Sequence, residues 1–128
     1  MEISILVSII WAHFVADFVL QTDKMATSKS TSYVWLSNHI LVYSGAMLGL
    51  MAPTVYFMDP DNSHWLLTLL LMWTVINGAF HWITDWCSSR VTSYLWKKGD
   101  RHNFFIAIGA DQAVHMMTMI ITWTWIFH

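Results

Sequence analysis

The sequence predicts an all-α fold: one integral membrane domain of 128 residues in which four transmembrane helices form a bundle. Hydrophobic residues make up 56% of the chain, charged residues only 11%, and the mean hydropathy is +0.48. Soluble domains carry about 25% charged residues. Four apolar segments, each close to the roughly 20 residues that cross a bilayer, account for most of the chain. The segments are long and do not alternate between apolar and polar residues, which argues against strands.

The four segments can be placed along the chain from their apolar runs. They run from Ile3 to Gln21, from Tyr33 to Ala52, from His64 to Ser88 and from Asn103 to Phe127. Pro53 is expected to stop the second segment, because proline breaks the helical hydrogen-bond ladder. The first segment is not expected to be a cleaved signal peptide, since Glu2 stands where a basic residue would and no small-residue cleavage site follows. The nine tryptophans are expected mostly at segment ends and on lipid-facing surfaces.

The charges in the loops predict an orientation. All six basic residues lie in the first and third loops, namely Lys24, Lys29, Arg90, Lys97, Lys98 and Arg101. The second loop carries Asp59 and Asp61 and no basic residue. The positive-inside rule therefore makes the first and third loops cytoplasmic and places both termini on the non-cytoplasmic side. Within the third loop, residues 89–102, the aromatic residues at 94–96 followed by two lysines indicate a short interfacial helix.

Three aspartates lie inside the apolar segments, and each has a histidine four residues away on the same helical face. The pairs are His13 with Asp17, His81 with Asp85, and Asp111 with His115. A fourth histidine, His39, lies in the second segment. No lysine or arginine is expected beside them, and ionisable groups at membrane depth are usually functional. Under the predicted topology all seven groups fall within one or two helical turns of the cytoplasmic boundary, so we expect them to converge on one layer.

Four imidazoles and three carboxylates in one layer predict a site for a divalent metal. The expected ligands are His13, Asp17, His39, His81, Asp85, Asp111 and His115. Helix bundles use such ligand pairs to hold two metals. Seven ligands fit two ions, or one ion with further carboxylates that orient the histidines. Zinc is favoured, with manganese or iron as alternatives. The alternative to a metal is protonation of the buried carboxyl groups.

The same groups predict hydrolytic chemistry, because a divalent ion activates water and polarises a carbonyl or phosphoryl oxygen. Asp17, Asp85 and Asp111 are candidate ligands or general bases. Gln21 and Gln112 are candidates for stabilising developing negative charge through their side-chain N–H groups. The basic loops suit an anionic lipid head group, such as a phospholipid or an isoprenoid phosphate, although topology alone also explains them.

Composition argues against several other classes of function. A net charge of −2 gives no indication of a nucleic-acid partner. The single cysteine, Cys87, cannot form an intrachain disulfide or build a thiolate metal site, and it is predicted to pack as a small apolar residue. No serine stands in a context that marks it as the nucleophile of a Ser–His–Asp triad.

Several motifs carry a resemblance to a known family. The stretch HFVADFVLQTDKMATSK at residues 13–29 is followed by an isolated histidine, by HWITDW at residues 81–86 and by DQAVH at residues 111–115. This pattern resembles a family of small bacterial and phage membrane proteins of unknown function with HxxxDFxxQ and DQxxH motifs. The resemblance covers most of the chain and implies a bacterial inner-membrane location. The pattern is similar, more loosely, to membrane-bound metal-dependent hydrolases.

Three functions are compatible with these features. The favoured one is a metal-dependent hydrolase that acts near the cytoplasmic leaflet on a phosphorylated lipid or another anionic ester. The first alternative is a metal-ion or proton transporter. Against transport, the outer half of each segment is apolar, so a continuous polar path would require a homo-oligomer. The second alternative is a non-enzymatic phage or bacterial membrane protein that binds a partner and uses the metal as a structural element.

Overall fold

A computed structural model describes all 128 residues, which are almost entirely helical and include no strand. The helices are α1 (Ile3–Phe14), α2 (Asp23–Ser28), α3 (Tyr33–Met58), α4 (Ser63–Lys98) and α5 (Arg101–Phe127). The predicted all-α class is therefore confirmed. The helices α3, α4 and α5 are each long and apolar enough to cross a membrane, whereas the apolar stretch Ile3–Val19 is shorter. The count of four spans and the side on which the termini lie stay predictions.

The end of the first apolar segment differs from a regular α-helix. After α1 the chain continues as a π-helical turn, Val15–Val19, in which the Leu20 N–H donates to the Val15 carbonyl at 3.0 Å. Asp17 lies on this turn. Such turns are rare and occur frequently at functional sites. The chain then enters the short helix α2, whose first turn is capped by the Thr22 hydroxyl accepting from the Met25 N–H.

Two predicted boundaries were wrong. The helix α3 does not stop at Pro53 but continues to Met58. Most of the third loop is helical. Residues 94–96 are helical as predicted, but they continue α4 and do not form a separate short helix, and only Gly99 and Asp100 separate α4 from α5. Residues 89–98 contain no glycine or proline, and the lysines in the last turn of α4 complement its dipole.

The turn between α4 and α5 is built from one glycine and one cap. Gly99 adopts a left-handed φ of 81°, which a residue with a Cβ rarely adopts, and it ends α4. The Asp100 carboxylate accepts hydrogen bonds from the side chain and the backbone N–H of Asn103, at 2.8 and 3.2 Å. These bonds lower the pKa of Asp100 from its usual value, so the cap of α5 is charged at neutral pH.

The three long helices pack together with the shorter α1. The helix α4 packs against both α3 and α5, while α1 packs against α3 and more lightly against α5, so α1 and α4 lie diagonally opposite. At Gly78 a Cβ would lie 2.6 Å from Ser44 Oγ, which shows how closely α3 and α4 approach. Gly78 lies one turn before His81. The close approach of the two helices therefore helps to bring the rings of His81 and His39 together, with 5.4 Å between their centroids.

The interior divides into an apolar half and a polar half. In the apolar half, Trp73 and Trp123 are fully buried, with ring centroids 5.3 Å apart and nearly perpendicular planes. Trp73 Nε1 donates to the Met119 carbonyl at 3.2 Å. The expectation that tryptophans lie at segment ends or face lipid is therefore wrong for these two. Tyr43 marks the border, because its ring packs 4.0 Å from that of His81.

Candidate metal centre

Every helix except α2 contributes side chains to one buried cluster. His13 comes from α1, Asp17 from the π-helical turn, His39 from α3, His81 and Asp85 from α4, and Asp111 and His115 from α5. Six of these residues are buried, and Asp111 is partly buried. The three pairs with four-residue spacing keep their side chains together, with shortest His–Asp distances of 3.8, 3.6 and 3.4 Å. The structure thus brings all seven predicted ligands into one region, although not into one coordination shell.

The first ligand group consists of Asp17, His39, His81 and Asp85, whose donor atoms all lie within 4.8 Å of one another. His39 Nε2 lies 3.1 Å from Asp17 Oδ1 and 3.3 Å from Asp85 Oδ2. His81 Nε2 lies 3.4 Å and 3.6 Å from the same two oxygens. Zinc–ligand distances of about 2.0–2.1 Å place neighbouring corners of a tetrahedron about 3.3–3.4 Å apart. Four of the six edges of this group measure 3.1, 3.3, 3.4 and 3.6 Å and are therefore close to this spacing.

Hydrogen bonding among these side chains is incomplete. Neither ring nitrogen of His81 has a hydrogen-bond partner, although the residue is only 2% exposed. His39 Nδ1 is also buried without a partner. Buried polar atoms are nearly always paired, and each exception calls for an explanation. His81 Nε2 lies 3.4 and 3.6 Å from the Asp17 and Asp85 oxygens, longer than usual hydrogen bonds, and a cation between these carboxylates would bind it directly.

A second ligand group consists of Asp85, Asp111 and His115. His115 Nε2 lies 3.2 Å from Asp85 Oδ1 and 3.4 Å from Asp111 Oδ1. Asp85 belongs to both groups, and its two oxygens face different partners: Oδ2 faces His39 and His81, whereas Oδ1 faces His115. A carboxylate with this arrangement can bridge two metal ions.

His13 belongs to neither ligand group. Its Nε2 lies 3.0 Å from Gln112 Oε1, a carbonyl oxygen that only accepts, so Nε2 carries the proton. Its Nδ1 lies 3.4 Å from the Tyr43 hydroxyl. The Gln112 amide N–H₂ in turn donates to Asp17 Oδ2 and to Asp111 Oδ2, both at 3.1 Å. Gln112, held by His13, therefore orients one carboxylate of each group. Residues that support metal ligands without binding the ion make contacts of this kind.

Lys29 contacts the cluster directly, whereas the sequence placed it only in a basic loop beyond the cluster. Lys29 Nζ donates to Asp85 Oδ2 at 2.8 Å, with Asp85 only 1% exposed and Lys29 18% exposed. The expectation that no lysine or arginine pairs with the carboxylates was therefore wrong. Lys29 follows α2, which places it beside the cluster. The threonine cap and acidic first turn at residues 22–23 were the available signal for this helix.

A cavity of about 490 Å³ opens beside the cluster at the end of the molecule where the basic residues lie. One wall is the part of α4 that continues from Asp85 to Lys98, about 20 Å at 1.5 Å per residue. Asp17, Asp111, Gln21 and Gln112 border the cavity on the side of the cluster. Its other walls include Lys29 and Lys97 and the hydroxyls of Thr27, Ser88, Ser89, Thr92 and Ser93.

Comparison with known proteins identifies a family of unknown function. One family model, described as "Protein of unknown function (DUF3307)", matches residues 5–128. Neither the curated proteins nor the solved structures yield a match. The matched range includes both ligand groups, His13, Lys29 and the cavity, so the whole site lies within the part of the chain that the family shares.

Proposed function

The chain belongs to the DUF3307 family, which has no described activity, and we propose from the site itself that the protein is a membrane-embedded metal-dependent hydrolase. The proposed substrates are phosphorylated lipids or other anionic esters at the cytoplasmic leaflet of a bacterial inner membrane. The first ligand group carries the proposal. Its four donors are buried and lie close together, and they include His81, whose ring nitrogens have no hydrogen-bond partner.

Charge balance supports a metal, and Lys29 changes that balance. Asp17, Asp85 and Asp111 bring three negative charges, and Lys29 returns one positive charge. One divalent ion with Lys29 in place makes the cluster neutral. With two divalent ions, the net charge of the cluster is +1 if Lys29 moves away and +2 if Lys29 stays. The proposal is therefore one tightly held zinc in the first ligand group, with a second ion in the group of Asp85, Asp111 and His115 that binds more weakly.

The residues around the ions suit hydrolysis. A bound divalent ion would supply an activated water and polarise a phosphoryl or carbonyl oxygen. Asp111 lies on the cavity wall and next to His115, so it takes the proton from the attacking water and returns it to the leaving oxygen. The ester P–O or C–O bond breaks, water is consumed, and an acid and an alcohol form. Gln21, whose Oε1 is buried without a partner at the cavity, positions the substrate.

The interior argues against a path for ions. Beyond Tyr43 the interior is filled by the apolar core that includes Trp73 and Trp123. The buried polar side chains in this half are neutral: Ser63, Thr74, Asn77 and Thr122. Ion and proton paths in membranes are lined by ionisable or hydrated groups. A site without ionisable groups between it and the opposite end is suited to a reaction better than to transport.

The proposed topology places four spans in the membrane with both termini outside the cytoplasm. The six basic residues then face the cytoplasm together with the mouth of the cavity, and Asp59 and Asp61 lie on the other side. A substrate with an anionic head group would meet the cavity through these basic residues.

The test is turnover by the purified, zinc-loaded protein against a panel of phosphorylated lipids and carboxylic esters. We expect release of the alcohol from at least one anionic ester, and loss of at least about 100-fold in rate for Asp111→Asn, typical of a lost general base. Asp61→Asn, in the loop between α3 and α4, is the matched control and should keep full activity. Stoichiometric zinc with no turnover of any ester in the panel would contradict the hydrolase and leave the metal site standing.

A further inference from the structure

A second cavity, on the outer face of the molecule, meets the first. It has a volume of about 440 Å³ and lies in the seam between α4 and α5. Most of its lining residues are apolar, and several are small: Cys87, Ala107 and Ala110. Ile83, Val91 and Val114 border it and are about half exposed, so the seam opens sideways from the helices that we place in the membrane. We call this cavity the α4–α5 seam.

The two cavities share two residues, Ser88 and Asp111. The seam reaches the second ligand group there, because Asp111 Oδ1 lies 3.4 Å from His115 Nε2. From this junction the seam continues past Thr84 and Val114, away from the basic residues and along the apolar part of the helices. An elongated molecule at the junction would place one end among polar groups and the other among apolar ones.

The polar side of the junction carries four hydroxyl side chains from α4. They lie on one face of α4, because two adjacent pairs have four-residue spacing: Ser88 with Thr92, and Ser89 with Ser93. Ser89 Oγ is buried without a partner, and the residue is 6% exposed. Lys97 adds a positive charge at the outer wall, and Lys29 adds another beside the ligand groups. Hydroxyls and ammonium groups together suit a phosphate with a small polyol attached.

We infer that the α4–α5 seam binds the hydrocarbon chain of a phosphorylated lipid. The head group of this lipid passes Ser88 and Asp111 into the first cavity beside the ligand groups, which we call the polar cavity. This inference rests on the proposed function, since it names the substrate class of the same site. The occupant is one amphipathic molecule from the surrounding leaflet: the seam opens to the side, the polar cavity carries the matching donors, and the two meet at a ligand of the proposed metal. A soluble phosphate ester would use the polar cavity alone and leave the seam without a role.

The test measures binding without turnover, using the full-length protein in detergent micelles. The probes are 1-oleoyl lysophosphatidic acid, which has both parts, and glycerol 3-phosphate, which has the head group alone. We expect lysophosphatidic acid to bind at least about tenfold more tightly than glycerol 3-phosphate. Ala110→Leu fills the seam and should weaken lysophosphatidic acid binding about tenfold while leaving glycerol 3-phosphate binding unchanged.

Two further variants keep this test interpretable. Ala113→Leu makes the same change on the same helix, at an exposed residue outside both cavities, and should leave both affinities unchanged. Ala107→Leu fills the seam at a second position and should have the same effect as Ala110→Leu. The test therefore stands even if one of the two variants folds poorly. Unchanged zinc content and a monodisperse elution profile identify the folded variants.

The outcomes separate this inference from the hydrolase proposal. Equal affinities for the two probes, or lipid binding that is insensitive to both seam variants, would overturn the lipid seat, even if soluble esters are hydrolysed. Lipid binding that depends on Ala110 supports the seat even where no ester is turned over. Ser89→Ala should weaken the binding of both probes, because it removes a donor from the head-group side only.

Discussion

The Lys29 ammonium lies 2.8 Å from Asp85 Oδ2, the same oxygen that faces His39 and His81 at 3.3 and 3.6 Å. Lys29 and a divalent ion in the first ligand group therefore compete for one carboxylate oxygen. This arrangement links the short helix α2, which lies over the cavity, to the metal centre.

We expect Lys29→Met to raise the affinity for zinc by at least about tenfold, because it removes a like charge from beside the ion. Competition with a chromogenic chelator measures this. Lys97→Met is the matched control, since Lys97 lines the cavity but forms no ion pair. Equal or weaker zinc binding by Lys29→Met would mean that the two cations do not compete.

The shared position of Asp85 predicts different metal stoichiometries for two isosteric variants. Asp85→Asn should reduce bound zinc to near zero, because both groups lose a charged ligand. Asp111→Asn should affect only the group with His115 and leave one ion bound. Elemental analysis of purified protein after gel filtration measures the ratio. Equal metal content in the two variants would remove the argument for Asp85 as a bridging ligand.

Replacing His81 should weaken zinc binding more than replacing His13, although each begins a His–Asp pair. His81→Ala removes a donor of the first ligand group and should weaken zinc binding at least about 100-fold, while His13→Ala changes only a supporting contact and should weaken it about 10-fold. The two rings are 6.2 Å apart, between centroids, and similarly buried, so the comparison is matched. If His13→Ala abolishes metal binding as completely as His81→Ala, His13 is a ligand.

The buried tryptophans predict where stability resides. Trp73→Ala should lower the free energy of unfolding in micelles by about 3–5 kcal/mol, because it leaves a large cavity against Trp123. Trp125→Ala is the control, since Trp125 is 79% exposed, and it should change stability little. Thermal unfolding followed by helical circular dichroism compares the two. A similar loss in both variants would contradict the assignment of the core.

The predicted topology can be tested with single cysteines in a Cys87→Ser background. A membrane-impermeant maleimide added to spheroplasts should label Asp61→Cys and should label Lys98→Cys only after the membrane is permeabilised. Lys98 follows the cavity walls on α4, and Asp61 lies in the turn between α3 and α4. The reverse pattern would place the cavity on the other side of the membrane.

The sequence by itself determined the helical class and the composition of the cluster. Long apolar runs without alternation leave only helices, and histidine–aspartate pairs at four-residue spacing share a helical face whatever the helix packs against. For this reason His13, Asp17, His81, Asp85, Asp111 and His115 could be named before any fold was known. Both properties are local to one helix.

Only the tertiary structure decided how these residues are divided. Asp85 joins two ligand groups, His13 joins neither, and Lys29 approaches from 56 residues away in the chain. The same is true of the continuation of α3 through Pro53 and of the length of α4, which creates the two cavities. These features depend on which helix faces lie opposite one another, and helical periodicity within one segment carries no information about the rotation or depth of its neighbours.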